Sequence, residues 1–136
     1  MKALFDTNVV LDLLLDREPF SRDAARCFSR VEAGEIEGWL CASTVTTLYY
    51  LIRKSAGAWK ARESITLLLS LFEIAPVNKI ALEGALQLSF KDFEDAVLHE
   101  AARLVDADVI VTRNTADFKH SSILVLLPSE LAVGKP

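Results

Sequence analysis

The sequence predicts an α/β fold in three layers, with a mainly parallel sheet of four or five strands covered on both sides by helices. Three observations carry this expectation. Short apolar runs of strand length alternate with longer segments whose apolar residues recur at helical spacing. Strands separated by helices imply parallel βαβ units. The 136 residues, with 51% hydrophobic side chains and only 5 Gly and 4 Pro, suit a single compact domain, 1–136, with a substantial core.

Each element follows from its residues. Lys2 to Phe5 is a short apolar strand that runs into Asp6-Thr7-Asn8, which caps a helix built on Val9 to Leu15. Arg17-Glu18-Pro19-Phe20 interrupts that helix. Pro19 suits the first turn of the next, which passes through Ala24, Ala25, Phe28 and Val31 and stops at Gly34. Gly38 to Ala42 forms a second strand, after which Val45, Leu48, Tyr49 and Ile52 repeat at helical spacing as far as Arg53-Lys54. Gly57 ends this helix and another carries Ala61 through Phe72; Ile74 to Val77 is a strand, and Asn78 caps a helix over Ile80 to Leu88. Asp92 to Val105 is helical, Asp108 to Thr112 is a buried strand, and Ile123 to Leu126 is a last strand. No linker, repeat or low-complexity segment divides the chain.

Composition excludes several functional classes. No apolar run approaches the ~20 residues of a membrane-spanning helix. The amino terminus meets Asp6 before the apolar core of a signal peptide can develop, so a cytoplasmic, membrane-free location is expected. Cys27 and Cys41 lack metal-ligand spacing and read as buried thiols rather than a disulfide. A net charge of -4 argues against a broad cationic grip on nucleic acid, which leaves only local contacts.

In an open α/β sheet, functional groups gather beyond the carboxyl ends of the strands. Asp6 stands at one such end, Ser43, Thr44 and Thr47 follow a second, and Asn114 and Asp117 follow a third. On the helix from Asp92, about 100° per residue puts Asp92, Asp95 and His99 within roughly 60° of one another, away from a stripe of Phe93, Val97 and Leu104. Carboxylates brought together repel unless cations or protons compensate, and hard oxygen ligands suit Mg²⁺ or Mn²⁺ better than Zn²⁺. Each residue also has a plainer role: Asp6 and Asp92 as helix caps, Asp117 and Asn114 as turn formers. His99 and His120 read as surface or boundary residues without a general-base role.

These residues together resemble the PIN domain family, in particular the VapC-type ribonucleases of bacterial and archaeal toxin-antitoxin pairs. Phe5-Asp6-Thr7-Asn8-Val9 resembles the family's opening strand and first catalytic aspartate. Asp92-Phe93-Glu94-Asp95-Ala96 resembles the segment with its helical aspartate, placed at Asp95, and Val111 to Phe118 resembles its closing acidic loop. The order of these motifs along nearly the whole chain carries the likeness, since none is specific alone.

The resemblance implies a PIN-like αβα sandwich and hydrolysis of RNA with Mg²⁺ or Mn²⁺. Asp6, Asp95 and Asp117 would be catalytic metal ligands, direct or through water, and Asn114, Thr47 and Asp92 would support them. It also implies a small antitoxin and a homodimer, to whose surfaces Trp39, Tyr49, Tyr50 and Trp59 would contribute if they are not core. Arg113, Arg53 and Lys54 are the candidates for contact with RNA, although a basic doublet near a helix end also reads as a solvated face. The chain departs from the family at Thr47 and Asn114, which are neutral where acidic residues are usual. One strongly held ion is therefore expected rather than two. The same departures motivate a rival reading, a catalytically silent relative that binds RNA or a protein. A phosphatase of the haloacid-dehalogenase type is disfavoured because Asn8 stands where that mechanism wants a second aspartate.

Overall fold

The structure, a computed structural model, describes residues 1–133. In chain order the strands are β1 (Lys2–Phe5), β2 (Glu37–Cys41), β3 (Glu73–Ala75), β4 (Val109–Val111) and β5 (Leu124–Leu126). The helices are α1 (Thr7–Leu14), α2 (Ser21–Glu32), α3 (Ala42–Ala56), α4 (Ala58–Leu71), α5 (Lys79–Leu86), α6 (Phe93–Leu104) and α7 (Pro128–Ala132), with a 3₁₀ turn at Thr115–Phe118. The five strands form one sheet in the order β3-β2-β1-β4-β5, and every pairing is parallel. Strand order reverses at β1, so the connections that leave β1 and β4 run in opposite directions and open a crevice beyond the paired strand ends.

Alternation along the strands builds the two faces. Ala3 and Phe5 of β1 and Val109 and Val111 of β4 join one core with Val9, Phe28, Leu48, Leu68 and Phe72. Leu4 and Ile110 point the other way, to Leu98, Ala101, Ala102 and Phe118. Phe5, Phe28 and Phe72 pack edge to face with centroids 5.1–5.8 Å apart, which locks α2 and the segment before β3 against β1.

The helix stops work through glycine where expected. Gly34 (φ 77°) and Gly57 (φ 93°) both adopt backbone conformations that a side chain disfavours. Asn78 caps α5 through its side chain, which accepts the Ala81 N–H at 3.0 Å.

Four expectations change. Helix α2 begins at Ser21 with Phe20 as its cap, so Pro19 lies in the preceding turn. The expected stripe of Phe93, Val97 and Leu104 does not hold, because Phe93 and Leu104 are exposed whereas Ala96 to Ala102 are buried without interruption. Helix α6 is covered by the sheet on one side and by α5 on another, which removes the single-stripe pattern. His99 is consequently 2% exposed and not a surface residue, while His120 is exposed. Helix α7 was not expected.

Both cysteines are buried and free. Of the four candidate interface aromatics, Tyr50 and Trp59 are exposed on α3 and α4, while Trp39 and Tyr49 are partly buried.

Candidate active site

At the carboxyl end of β1, Asp6 caps α1 and is almost completely buried. Its Oδ1 accepts the Thr7 N–H at 2.8 Å, and its Oδ2 accepts the Thr112 hydroxyl at 2.8 Å. The Asp6 N–H meanwhile donates to the Val111 carbonyl at 2.9 Å, tying the ends of β1 and β4 together. Burial raises the Asp6 carboxyl above its ordinary range. The Thr112 and Thr7 hydrogen bonds oppose this, and the charges of Glu94 and Asp117 add to it.

Asp95 faces Asp6 from the first turn of α6, where Asp92 is the cap and accepts the Glu94 N–H at 3.0 Å. Asp95 is half-buried, and its carboxyl is pushed up to about 7, first by burial and then by the charges of Asp6, Asp92, Asp117 and Glu94. Burial is the larger cause, and the four neighbouring carboxylates add to it.

Between Asp6 and Asp95 lies a recess of about 20 Å³, bounded also by Thr7, Ser43, Thr44, Thr47, Glu94 and Leu98. It has room for one water-sized body. It opens into a cleft of about 410 Å³ lined by Asn8, Arg17, Asp92, Arg113, Asn114 and Asp117 as well. The expected residues Asp6, Asp95, Asp117, Asn114, Thr47, Asp92 and Arg113 therefore share one cleft. Arg53 and Lys54 lie outside it, exposed in the last turn of α3.

The donor set fits a hard divalent cation, because every polar side chain around the recess presents oxygen and the local charge is uncompensated. Among the described residues, no three His, Cys, Asp or Glu side chains stand together at ligand spacing. An ion in this recess would therefore be held by two carboxylates, hydroxyls and water rather than by a closed cage. Mg²⁺ commonly keeps several waters in this manner.

Several site residues escaped the sequence reading. Glu94 lines both the recess and the cleft, beside Asp95. Thr112 is fully buried; its hydroxyl donates to Asp6 and accepts the N–H of Asn114 at 3.1 Å. Asp12, 1% exposed, binds Arg113 Nε at 2.6 Å and Arg17 Nε at 2.9 Å. An aspartate inside the apolar run Val9 to Leu15, with arginine five positions on, was the available signal. Arg113 also stacks over Phe20 with its guanidinium carbon 3.9 Å from the ring centroid, so it is a braced cation rather than a free one.

Comparison with known proteins identifies the family. The PIN domain family profile matches residues 2–116. The chain is 26% identical over 134 residues to Ribonuclease VapC1 of Aquifex aeolicus (strain VF5), covering 95% of this chain and 92% of that protein. Among solved structures, it is similar to a toxin-antitoxin complex from Klebsiella pneumoniae, with a TM-score of 0.69, 27% identity and coverage of 93% of this chain and 97% of that one. FitAcB from Neisseria gonorrhoeae matches with a TM-score of 0.72, 20% identity and coverage of 93% and 97%, a likeness of fold. With the profile spanning most of the chain and the acidic cleft at the strand ends, the chain belongs to the PIN domain family.

Proposed function

We propose that the protein is a metal-dependent endoribonuclease and the toxin of a toxin-antitoxin pair. The observation that carries this reading is the small oxygen-lined recess between Asp6 and Asp95 at the strand ends. The likeness to Ribonuclease VapC1 of Aquifex aeolicus and to the Klebsiella pneumoniae toxin-antitoxin complex supports it. On the same grounds a small protein antitoxin is the expected partner, with homodimerisation through the helices carrying Tyr50 and Trp59. Among the described residues no helix is long and apolar enough to cross a membrane, and the cytoplasm is the proposed location.

Asp6 and Asp95 would hold one Mg²⁺ or Mn²⁺, with Asp117 acting through water. When bound, the ion would polarise a water and offset charge developing on the phosphate oxygens during in-line attack. Asp6 is kept in place by Thr112 and the Thr7 N–H, so its carboxylate needs no rearrangement on substrate arrival. Thr47 and Asn114 offer hydrogen bonds to water or phosphate, and Arg17 and Arg113, braced by Asp12, supply positive charge to the rim. The catalytically silent reading retains one observation in its favour, the neutral side chains at Thr47 and Asn114.

The test is cleavage of a labelled single-stranded RNA panel in Mg²⁺, Mn²⁺ or EDTA by the wild type and by Asp6→Asn and Asp95→Asn. Cation-dependent cleavage lost in both variants is expected. A folded wild type that binds RNA and cleaves none would establish the silent module instead.

A further inference from the structure

A second cavity, also about 410 Å³, adjoins the acidic cleft and shares Asp117 with it. Its other walls are Ser89, Phe90 and Lys91 from the connection into α6, and Ala116, Lys119 and His120 from the 3₁₀ turn and the loop after it. Lys91, Lys119 and His120 are all exposed, and among the described residues none takes part in an ion pair. The cavity therefore gathers two lysines and a histidine beside a single carboxylate, Asp117.

Phe90 is partly buried and packed against the core. Its ring packs at right angles to Phe118, with centroids 5.7 Å apart, and lies 5.3 Å from the His99 ring. Binding of single-stranded nucleic acid combines these two elements, cations that track phosphates and a rigid aromatic ring on which a base stacks.

We propose that the cavity between Phe90, Lys91 and Lys119 is a nucleotide subsite that receives single-stranded RNA as it leaves the acidic cleft. Lys91 and Lys119 contact phosphates, and Phe90 meets a base. This rests on RNA being the substrate but not on the chain being catalytic. The subsite also answers an electrostatic need, since the carboxylates of the cleft repel the polyanion that must enter it. It moves the expected RNA contact from Arg53 and Lys54, at the far end of α3, to residues that border Asp117.

The experiment is fluorescence anisotropy of a labelled oligouridylate as a function of salt, in Mg²⁺, on an Asp6→Asn background so that the strand is not consumed. For single strands each phosphate contact contributes about 0.7 to the slope of log affinity against log salt, so Lys91→Ala with Lys119→Ala should lower the slope by about 1.4. Phe90→Leu should weaken binding by about tenfold with the slope unchanged, the loss of one stacked base. Both lysines are exposed, so the pair is the decisive variant and its fold is checked by thermal melting.

An unchanged slope in the lysine pair, or a slope that falls instead in Arg53→Ala with Lys54→Ala, overturns the subsite and leaves the nuclease reading intact. A fallen slope from a protein whose wild type cleaves no RNA keeps the subsite and removes the nuclease reading. No binding of RNA at any salt overturns both.

Discussion

Thr112 donates its hydroxyl proton to Asp6 at 2.8 Å while accepting the backbone N–H of Asn114 at 3.1 Å. One buried hydroxyl thus links the first aspartate of the cleft to the loop that carries Asn114 and Asp117. The arrangement needs both a donor and an acceptor on the same atom, which valine cannot supply although it matches threonine in shape.

Thr112→Val should therefore cost about 1–3 kcal/mol of stability, because Asp6 loses a donor where water cannot replace it. Thr112→Ser should recover most of the loss. Urea unfolding of the three proteins checks this, and equal midpoints for wild type and Thr112→Val would contradict it.

Asp95 gives stability a pH dependence of definite sign. The native carboxyl keeps its proton up to about pH 7, whereas the ordinary value of 3.8 applies in the unfolded chain. Between those values the native state binds the extra proton, so stability falls as pH rises through this window. In EDTA the melting temperature of the wild type should drop between pH 5 and pH 8, values chosen to bracket the upper end of the shift. Asp95→Asn should flatten the curve and melt higher than wild type at the alkaline end. A wild-type melting temperature that rises across this interval would sink the assignment.

Asp12 braces two cations from a position closed to solvent. Asp12→Asn should destabilise the fold by about 2 kcal/mol, the scale of charged hydrogen bonds whose partners stay partly solvated. It should also release Arg113 from its place over Phe20 and raise KM for RNA more than it lowers kcat. Unfolding curves and steady-state kinetics separate the two effects, and a kcat loss with unchanged KM would argue against a rim role.

His99 anchors the far end of the acidic loop. Its Nδ1 lies 3.0 Å from Glu100 and its Nε2 accepts the Ser122 N–H at 3.1 Å. The Ser122 contact assigns the proton to Nδ1. Burial works to raise the Glu100 carboxyl, but hydrogen bonds from Arg103 and His99 outweigh it and hold the group low, ready to accept. Glutamine at position 99 can still offer an acceptor toward Ser122, whereas asparagine reaches only Glu100. His99→Gln should keep the Ser122 amide protected from hydrogen exchange, and His99→Asn should lose about tenfold in protection, one hydrogen bond of about 1.4 kcal/mol. Equal protection in both variants would contradict the anchoring.

Much of this was legible in the chain because strand ends are recognisable. Asp6 follows an apolar run that ends abruptly, and Asn114 and Asp117 follow another, so a parallel sheet brings them into one crevice. The helical phase of Asp95 was also readable, and the structure turns it toward Asp6. His99 was misplaced because α6 is covered on two sides, and a single apolar stripe cannot describe such a helix. Thr112 pairs with Asp6, and Asp12 with Arg113, about a hundred positions away, a relation that local spacing does not contain; only Arg17 lies near Asp12 in the chain. Arg53 and Lys54 form a basic doublet that the sequence offers for RNA contact, and cations in the last turn of a helix are also favoured by its dipole.

The most direct test of the central claim is the single-turnover rate of RNA cleavage measured against Mn²⁺ concentration for the wild type and Asp95→Asn. The account predicts a rate that rises from zero in EDTA, saturates as one site fills and is abolished in the variant. Cleavage that persists in EDTA, or that Asp95→Asn leaves intact, would contradict a cation site between Asp6 and Asp95 as the source of the activity.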